Sequence, residues 1–265
     1  MLKFAANLSL LFTDLELSQR FKAASHHGFQ AVEIQFPYAL SPAQLKTLLK
    51  AAEVKLILFN VAADDLLQGG EGLACVPDKQ VQFKQAVQQA LAYAEELQPV
   101  AINVLPGRCH HPQRLADYKA TLADNLHYAA EAFASVGVKT VFEAINSVDM
   151  PGFIITSGQH MLDMLAQVQH PNLLMQYDIY HATKMAGTPA AFISQHAGQI
   201  GHIQFADCPG RGQPGTGTID FKHLFSVIEQ SAYGGWLGAE YLPVGSTADS
   251  LAWLPKQSIH QTPNV

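Results

Sequence analysis

Cysteine is scarce in this 265-residue chain: Cys75, Cys109 and Cys208 stand far apart, odd in number and without a C-x-x-C pair. That argues against a disulfide framework and fits a reducing compartment. Cys109 does precede His110 and His111, a metal-like juxtaposition, but Pro106-Gly107 and Pro112 around it read as a loop. Basic runs are missing too. Nothing approaches the roughly five or six consecutive Lys/Arg of a nucleic-acid arm or a membrane patch. The balance of 22 acidic against 16 basic residues leaves a net charge of −6, so neither nucleic acid nor membrane is an expected partner. The apolar stretch from Met1 through Phe12 is broken by Asn7 and Ser9. It is too short to span a bilayer and carries no signal-peptide pattern, so a cytoplasmic protein is expected. No linker, low-complexity tract or charge block divides the chain, and residues 1–265 read as one domain.

What the chain has is alternation. Strand-like runs fall at Lys3–Asn7, Ala31–Gln35, Lys55–Asn60, Ala101–Leu105, Thr140–Glu143, Leu173–Asp178, Ile200–Gln204 and Trp236–Glu240. Stretches with helical spacing lie between them. The clearest is Lys79–Leu97, with Val81, Phe83, Ala86, Val87, Ala90, Leu91 and Ala94 on one stripe; another is Pro112–Ser135, with Leu115, Leu122, Leu126, Ala129 and Phe133. Ser41 before Pro42 reads as a helix cap, as does Asp220, while Gly28 and Gly137 sit where helices should end. Eight strand–helix units predict an α/β fold with a parallel sheet closed into a TIM (β/α)8 barrel. An open doubly wound sheet would need a Gly-rich phosphate loop after the first strand, and Asn7-Leu8-Ser9-Leu10 is not one.

Four of the apolar runs end in an oxygen donor: Glu143, Asp178, Gln204 and Glu240. In a barrel these ends share one mouth, where three carboxylates and an amide make a ligand set for a hard divalent cation, Mg²⁺ or Mn²⁺. Open coordination positions would suit the neighbouring oxygens of an α-hydroxy carbonyl compound. Glu143 and Glu240, flanking the ion, are the candidate acid and base for moving the adjacent C–H proton. Any one such carboxylate has a plainer reading, as a cap of the next helix or half of an ion pair; four in the last four strands favour the metal. Asn7 and Asn60 also end strands. With His181, three residues past Asp178, and with Arg211 and Asp207 in the Gly/Pro loop after the seventh strand, they are the candidate substrate contacts. His202 and Glu33 read as barrel-lining, with an ion pair as the plain alternative for Glu33.

These residues together resemble a known family. Phe4-Ala5-Ala6-Asn7-Leu8-Ser9, Ala31-Val32-Glu33 with Phe36-Pro37-Tyr38, Glu143-Ala144-Ile145-Asn146, Pro151-Gly152-Phe153, Gln176 through His181, His202-Ile203-Gln204, Pro214-Gly215-Thr216-Gly217 and Glu240-Tyr241 look like the hydroxypyruvate isomerase family of xylose isomerase-like barrels. The resemblance runs from Phe4 to about Trp253. It implies a Mg²⁺-type site at Glu143, Asp178, Gln204 and Glu240, with the two glutamates as proton donor and acceptor. The implied substrate is a small anionic 2-oxo hydroxy acid, hydroxypyruvate converted to 2-hydroxy-3-oxopropanoate. Relatives often read Glu-Tyr-Lys-Pro where this chain has Glu240-Tyr241-Leu242-Pro243, which removes a cation that would neutralise such a substrate. A 2-oxo-tetronate isomerase, a ketose 3-epimerase, a multi-zinc nuclease and a non-catalytic carbohydrate-binding barrel are the competing readings. Oligomeric state is left open.

Overall fold

Each short apolar run becomes a buried parallel strand, because helices cover the outer face and side chains fill the inner one. The computed structural model describes residues 1–255. The strands are β1 (Lys3–Asn7), β2 (Ala31–Ile34), β3 (Lys55–Asn60), β4 (Ala101–Val104), β5 (Lys139–Glu143), β6 (Leu173–Asp178), β7 (Ile200–Phe205) and β8 (Trp236–Ala239). They pair in chain order, and β8 closes on β1 with Lys3 opposite Trp236. The helices are α1 (Leu17–His26), α2 (Pro42–Ala52), α3 (Gln80–Leu97), α4 (Leu115–Ala134), α5 (Gly158–Val168), α6 (Ile179–Lys184), α7 (Pro189–His196) and α8 (Phe221–Gln230). The expected fold is the observed one. The last ten residues of the expected single-domain span, 256–265, lie outside the described residues.

Local signals act where the sequence places them. Ser41 and Gln44 form a reciprocal capping box at α2, with the Gln44 side chain accepting from the Ser41 N–H at 2.9 Å. Asp220 accepts the His223 N–H at 3.0 Å and starts α8. Gly28 and Gly137 end α1 and α4 with φ of +92° and +75°.

Three departures have physical causes. The connection from β6 to β7 carries two short helices, α6 and α7, because Gly187-Thr188-Pro189 breaks a single one. After β8 the described residues hold only a 3-10 turn, Asp249–Leu251. Trp253 instead covers that flank, its ring 5.2 Å from Phe4 and 5.1 Å from Phe205. Val81 and Leu115, assigned to apolar stripes, stand exposed in the first turns of their helices.

The barrel interior is layered, and the layering positions the site. Ala5, Ala31, Ala101 and Val141 fill its lower part with small apolar side chains. Two residues further along the same strands, Asn7, Glu33, Asn103 and Glu143 bring polar groups to the same axis, as the period of two requires. No helix among the described residues is long and apolar enough to cross a membrane.

Candidate active site at the barrel mouth

Parallel register brings the strand ends together. Glu143 lies beside Gln176, Asp178 beside Gln204, and Gln204 beside Gly238, two residues before Glu240. One cavity is lined by Glu143, Gln204, Glu240, His181, Arg211, Asn7 and Asn60, each named from the sequence. Glu143, Asp178 and His181 are buried, and each offers a ligand atom within 4.8 Å of the other two. Asp178 has two duties: Oδ1 accepts the His181 N–H at 3.1 Å and caps α6, while Oδ2 lies 3.7 Å from His181 Nε2.

The site holds more negative charge than it balances. Burial, followed by the charges of Glu240 and Asp178, pushes the Glu143 carboxyl up to about 8, against hydrogen bonds from Asn103 and Gln176. Burial raises Glu240 to about 7; Arg211 opposes this, while Asp178 and Glu33 add to it. The Arg211 guanidinium is 3.5 Å from Glu240 Oε2 and lies over the Tyr180 ring at 5.3 Å. Its Nε is buried without a partner. Burial works against its charge, but Glu240, Asp178 and Glu143 outweigh that and hold it protonated.

Asn146 decides the state of His181. The Asn146 side-chain amide donates to His181 Nδ1 at 2.7 Å, and its backbone N–H adds a longer contact at 3.4 Å. The amide's orientation is set in turn by Asp149, whose N–H donates to Asn146 Oδ1 and whose carboxylate accepts from Nδ2. Nδ1 therefore accepts, and the neutral ring carries its proton on Nε2, facing Asp178 and the cavity. Burial lowers the His181 pKa and favours that neutral form. His181 is thus placed as a hydrogen-bond donor, although its nitrogen lies within ligand range.

Some sequence expectations are corrected. Asp207 does not reach the cavity. Its carboxylate accepts the N–H groups of Cys208, Gly215, Gly217 and Ile219, so it shapes the loop carrying Arg211 and has no oxygen left for substrate. Leu242 is 52% exposed and does not line the cavity, so a charge there would meet solvent. Only its N–H matters locally, donating to the Arg211 carbonyl at 2.8 Å. Glu33 and His202 do pair inside the barrel, at 2.7 Å. The Cys109-His110-His111 stretch makes loop contacts: Cys109 Sγ faces the His111 carbonyl, and the His110 ring faces the carbonyl of Gly69.

The sequence reading missed four residues. Asn103 donates to Glu143 Oε1 at 2.8 Å and Gln35 to Glu240 Oε1 at 2.5 Å. Gln176 donates to Gln204 Oε1 at 2.6 Å. Arg108 also lines the cavity, its Nη1 donating to the carbonyls of Leu66 and Gly70 and its guanidinium 4.6 Å over Phe153. Asn103 and Gln176 sit inward on strands, a signal the period of two contained; Arg108 is a loop arginine with no local mark.

A closed parallel barrel with buried carboxylates gathered at its C-terminal mouth defines the class of barrel enzymes that work at that end. Residues 21–257 match the family model described as xylose isomerase-like TIM barrel, and the chain belongs to that family. It is 40% identical to the hydroxypyruvate isomerase of Escherichia coli over 254 residues, covering 96% of this chain and 98% of the relative. It is 36% identical to a 2-oxo-tetronate isomerase of Pectobacterium atrosepticum, covering 95% and 96%. A crystal structure named AP endonuclease, family 2, from Brucella melitensis superposes with a TM-score of 0.92 at 34% identity, covering 96% and 98%. With curated relatives named as isomerases along nearly its whole length, the protein is an isomerase.

Proposed function

We propose that the protein is a divalent-metal-dependent isomerase of small 2-oxo hydroxy acids, interconverting hydroxypyruvate and 2-hydroxy-3-oxopropanoate. The observation that carries this reading is the cluster of three buried carboxylates, Glu143, Asp178 and Glu240, against one adjacent cation, Arg211. Such a set is costly to leave ionised without a metal. The donors fit a hard cation: Glu143, Asp178, Glu240 and the Gln204 amide oxygen would hold it, and the buried, unpartnered Gln176 Oε1 adds an acceptor beside them. Mg²⁺ or Mn²⁺ is the expected ion. When bound, it supplies Lewis acidity to the substrate's vicinal carbonyl and hydroxyl oxygens.

The protein's own groups do the rest. Arg211, with Nε unpartnered, binds the substrate carboxylate, and its loop is held by Asp207. His181 Nε2–H donates to a substrate oxygen. Glu240, whose ionised form Arg211 favours, takes the C3 proton of hydroxypyruvate. Glu143, on the opposite flank, takes the C3 hydroxyl proton and returns it to C2, while the proton held by Glu240 passes to the C2 oxygen. Both carboxylates thus end ionised, as ligands of a cation must be. The enediolate between these steps forms where water is scarce, since both glutamates are buried.

A four-carbon substrate is a second reading with its own support. A 2-oxo-tetronate isomerase is among the relatives at 36% identity over nearly the whole chain, close to the 40% of the hydroxypyruvate isomerase. Assays of metal-stripped and metal-loaded protein with hydroxypyruvate and with 2-oxo-tetronate decide. Turnover that depends on Mg²⁺ or Mn²⁺ supports the proposal, and the higher kcat/KM selects the substrate. No turnover of either acid by protein shown to hold metal would remove the substrate assignment. The multi-zinc nuclease reading has the name of the Brucella structure beside it, but among the described residues Glu143, Asp178 and His181 form the single group of three or more His, Cys, Asp or Glu ligands found, too few for a multi-zinc cluster.

A further inference from the structure

Glu33 is a buried carboxylate to which the proposed chemistry gives no role. It is 1% exposed, lies in the same barrel layer as Glu143 and lines the same cavity, and accepts three hydrogen bonds. Asn7 Nδ2 donates to Oε1 at 2.9 Å, Gln204 Nε2 to the same oxygen at 2.7 Å, and the His202 ring nitrogen Nε2 lies 2.7 Å from Oε2. β8, separated from β2 by β1, makes room for it across the barrel: a Cβ on Gly238 would fall 2.3 Å from Oε2. Burying a carboxylate this deeply is expensive unless its bonds accomplish something.

Glu33 Oε1 accepts from Asn7, whose amide is fixed by the Ser9 N–H donating to its Oδ1 at 3.0 Å, and the second group on that accepting oxygen is the Gln204 nitrogen. The Gln204 oxygen is then forced to the other side, where it accepts from Gln176 Nε2 at 2.6 Å. That in turn commits the Gln176 nitrogen and leaves Gln176 Oε1 buried without a partner. One carboxylate thus sets the polarity of two amides in a row. We propose that Glu33 is a positioning residue that locks the Gln204 amide with its oxygen, not its nitrogen, available to a divalent cation at the Glu143–Asp178–Glu240 cluster. This rests on the metal site proposed above. Without Glu33, the two orientations of Gln204 lose most of their energetic difference, and the wrong one offers N–H groups to a cation.

The test is Mn²⁺ binding by the metal-stripped full chain, followed through the electron paramagnetic resonance signal of free Mn²⁺, with circular dichroism to verify folding. E33A is expected to weaken Mn²⁺ binding by about 10- to 100-fold, the usual cost of losing a residue that orients a ligand. G238A, which pushes the Glu33 carboxylate aside and keeps its charge, should weaken binding in the same direction and serves if E33A fails to fold. Q204E supplies a background without an amide to orient, because both its oxygens can ligate. There E33A should leave the affinity unchanged or improve it by removing a like charge. Equal losses in both backgrounds would mean that Glu33 acts through its charge or through packing, and would overturn the inference. So would wild-type affinity in folded E33A and G238A. If the wild-type chain itself binds no Mn²⁺, the metal reading fails, and this inference with it.

Discussion

Glu143 and Glu240 are buried together, and the proposed reaction asks both to exchange protons. Glu143→Gln and Glu240→Gln remove a proton donor or acceptor at constant shape. Each should lower kcat by about 10²- to 10⁴-fold. Circular dichroism should show an unchanged fold, and Tm should hold or rise near pH 8, because one member of a repelling set is gone. The raised carboxyls also predict a pH dependence for the metal-free protein. Folding raises Glu143 to about 8 and Glu240 to about 7 from an ordinary value of 4.5, so the folded state binds more protons across that window. Their contribution is therefore full below pH 4.5 and is lost as pH rises through 7 to 8. Thermal melts from pH 5 to pH 8.5 check this, and E143Q should flatten the decline. Asn146→Ala frees His181 Nδ1. The tautomer should become mixed, visible in the ¹⁵N shifts of the ring, and kcat/KM should fall by about tenfold, the worth of roughly one net hydrogen bond.

At the scale of elements, the loop from Asp207 to Ile219 is organised by one side chain. Its four accepted N–H groups would all need new partners in Asp207→Ala. At about 1–3 kcal/mol for each group left buried and unmet, partly repaid by water, the variant should lose several degrees of Tm. Arg211 rides on this loop with φ at +57°, so kcat/KM should fall although Asp207 touches no substrate. Gly217→Ala reaches the same end by collision: its Cβ would sit 2.1 Å from the Cys208 carbonyl and 2.6 Å from the Asp207 carboxylate. Adding free guanidinium should partly rescue an Arg211→Ala variant and leave the Gly217→Ala protein unrescued, since only the latter has lost the loop's shape.

For the whole molecule, binding and folding are linked through the acid cluster. A divalent cation that binds only the folded barrel stabilises it by RT ln(1 + [L]/Kd). Protons compete for the same carboxylates, so the Tm gain from 1 mM Mn²⁺ should be larger at pH 8 than at pH 5.5, opposite to the metal-free trend. An equal gain at both values, or none, would count against carboxylate ligation at Glu143 and Glu240. Differential scanning fluorimetry with and without chelator measures it.

Much of the barrel was legible because parallel strands covered on both faces appear in the sequence as short, nearly unbroken apolar runs, and polar residues at their ends stand out. Glu143, Asp178, Gln204 and Glu240 could be picked on that ground alone. Local sequence could not separate Asp178 from Asp207, two aspartates that each close an apolar run at the barrel mouth. One keeps an oxygen within ligand range of Glu143 and His181, while the other spends both on backbone N–H groups of its loop. Nor could it rank Arg211 against Arg108, or foresee that Leu242 faces solvent. Those distinctions depend on closure, which joins partners such as Glu33 and Gln204 across 171 residues. Periodicity and end residues are local and fixed element type and candidate chemistry. Which oxygen faces the cavity is a matter of burial and of long-range hydrogen-bond partners, and these exist only once β8 has met β1.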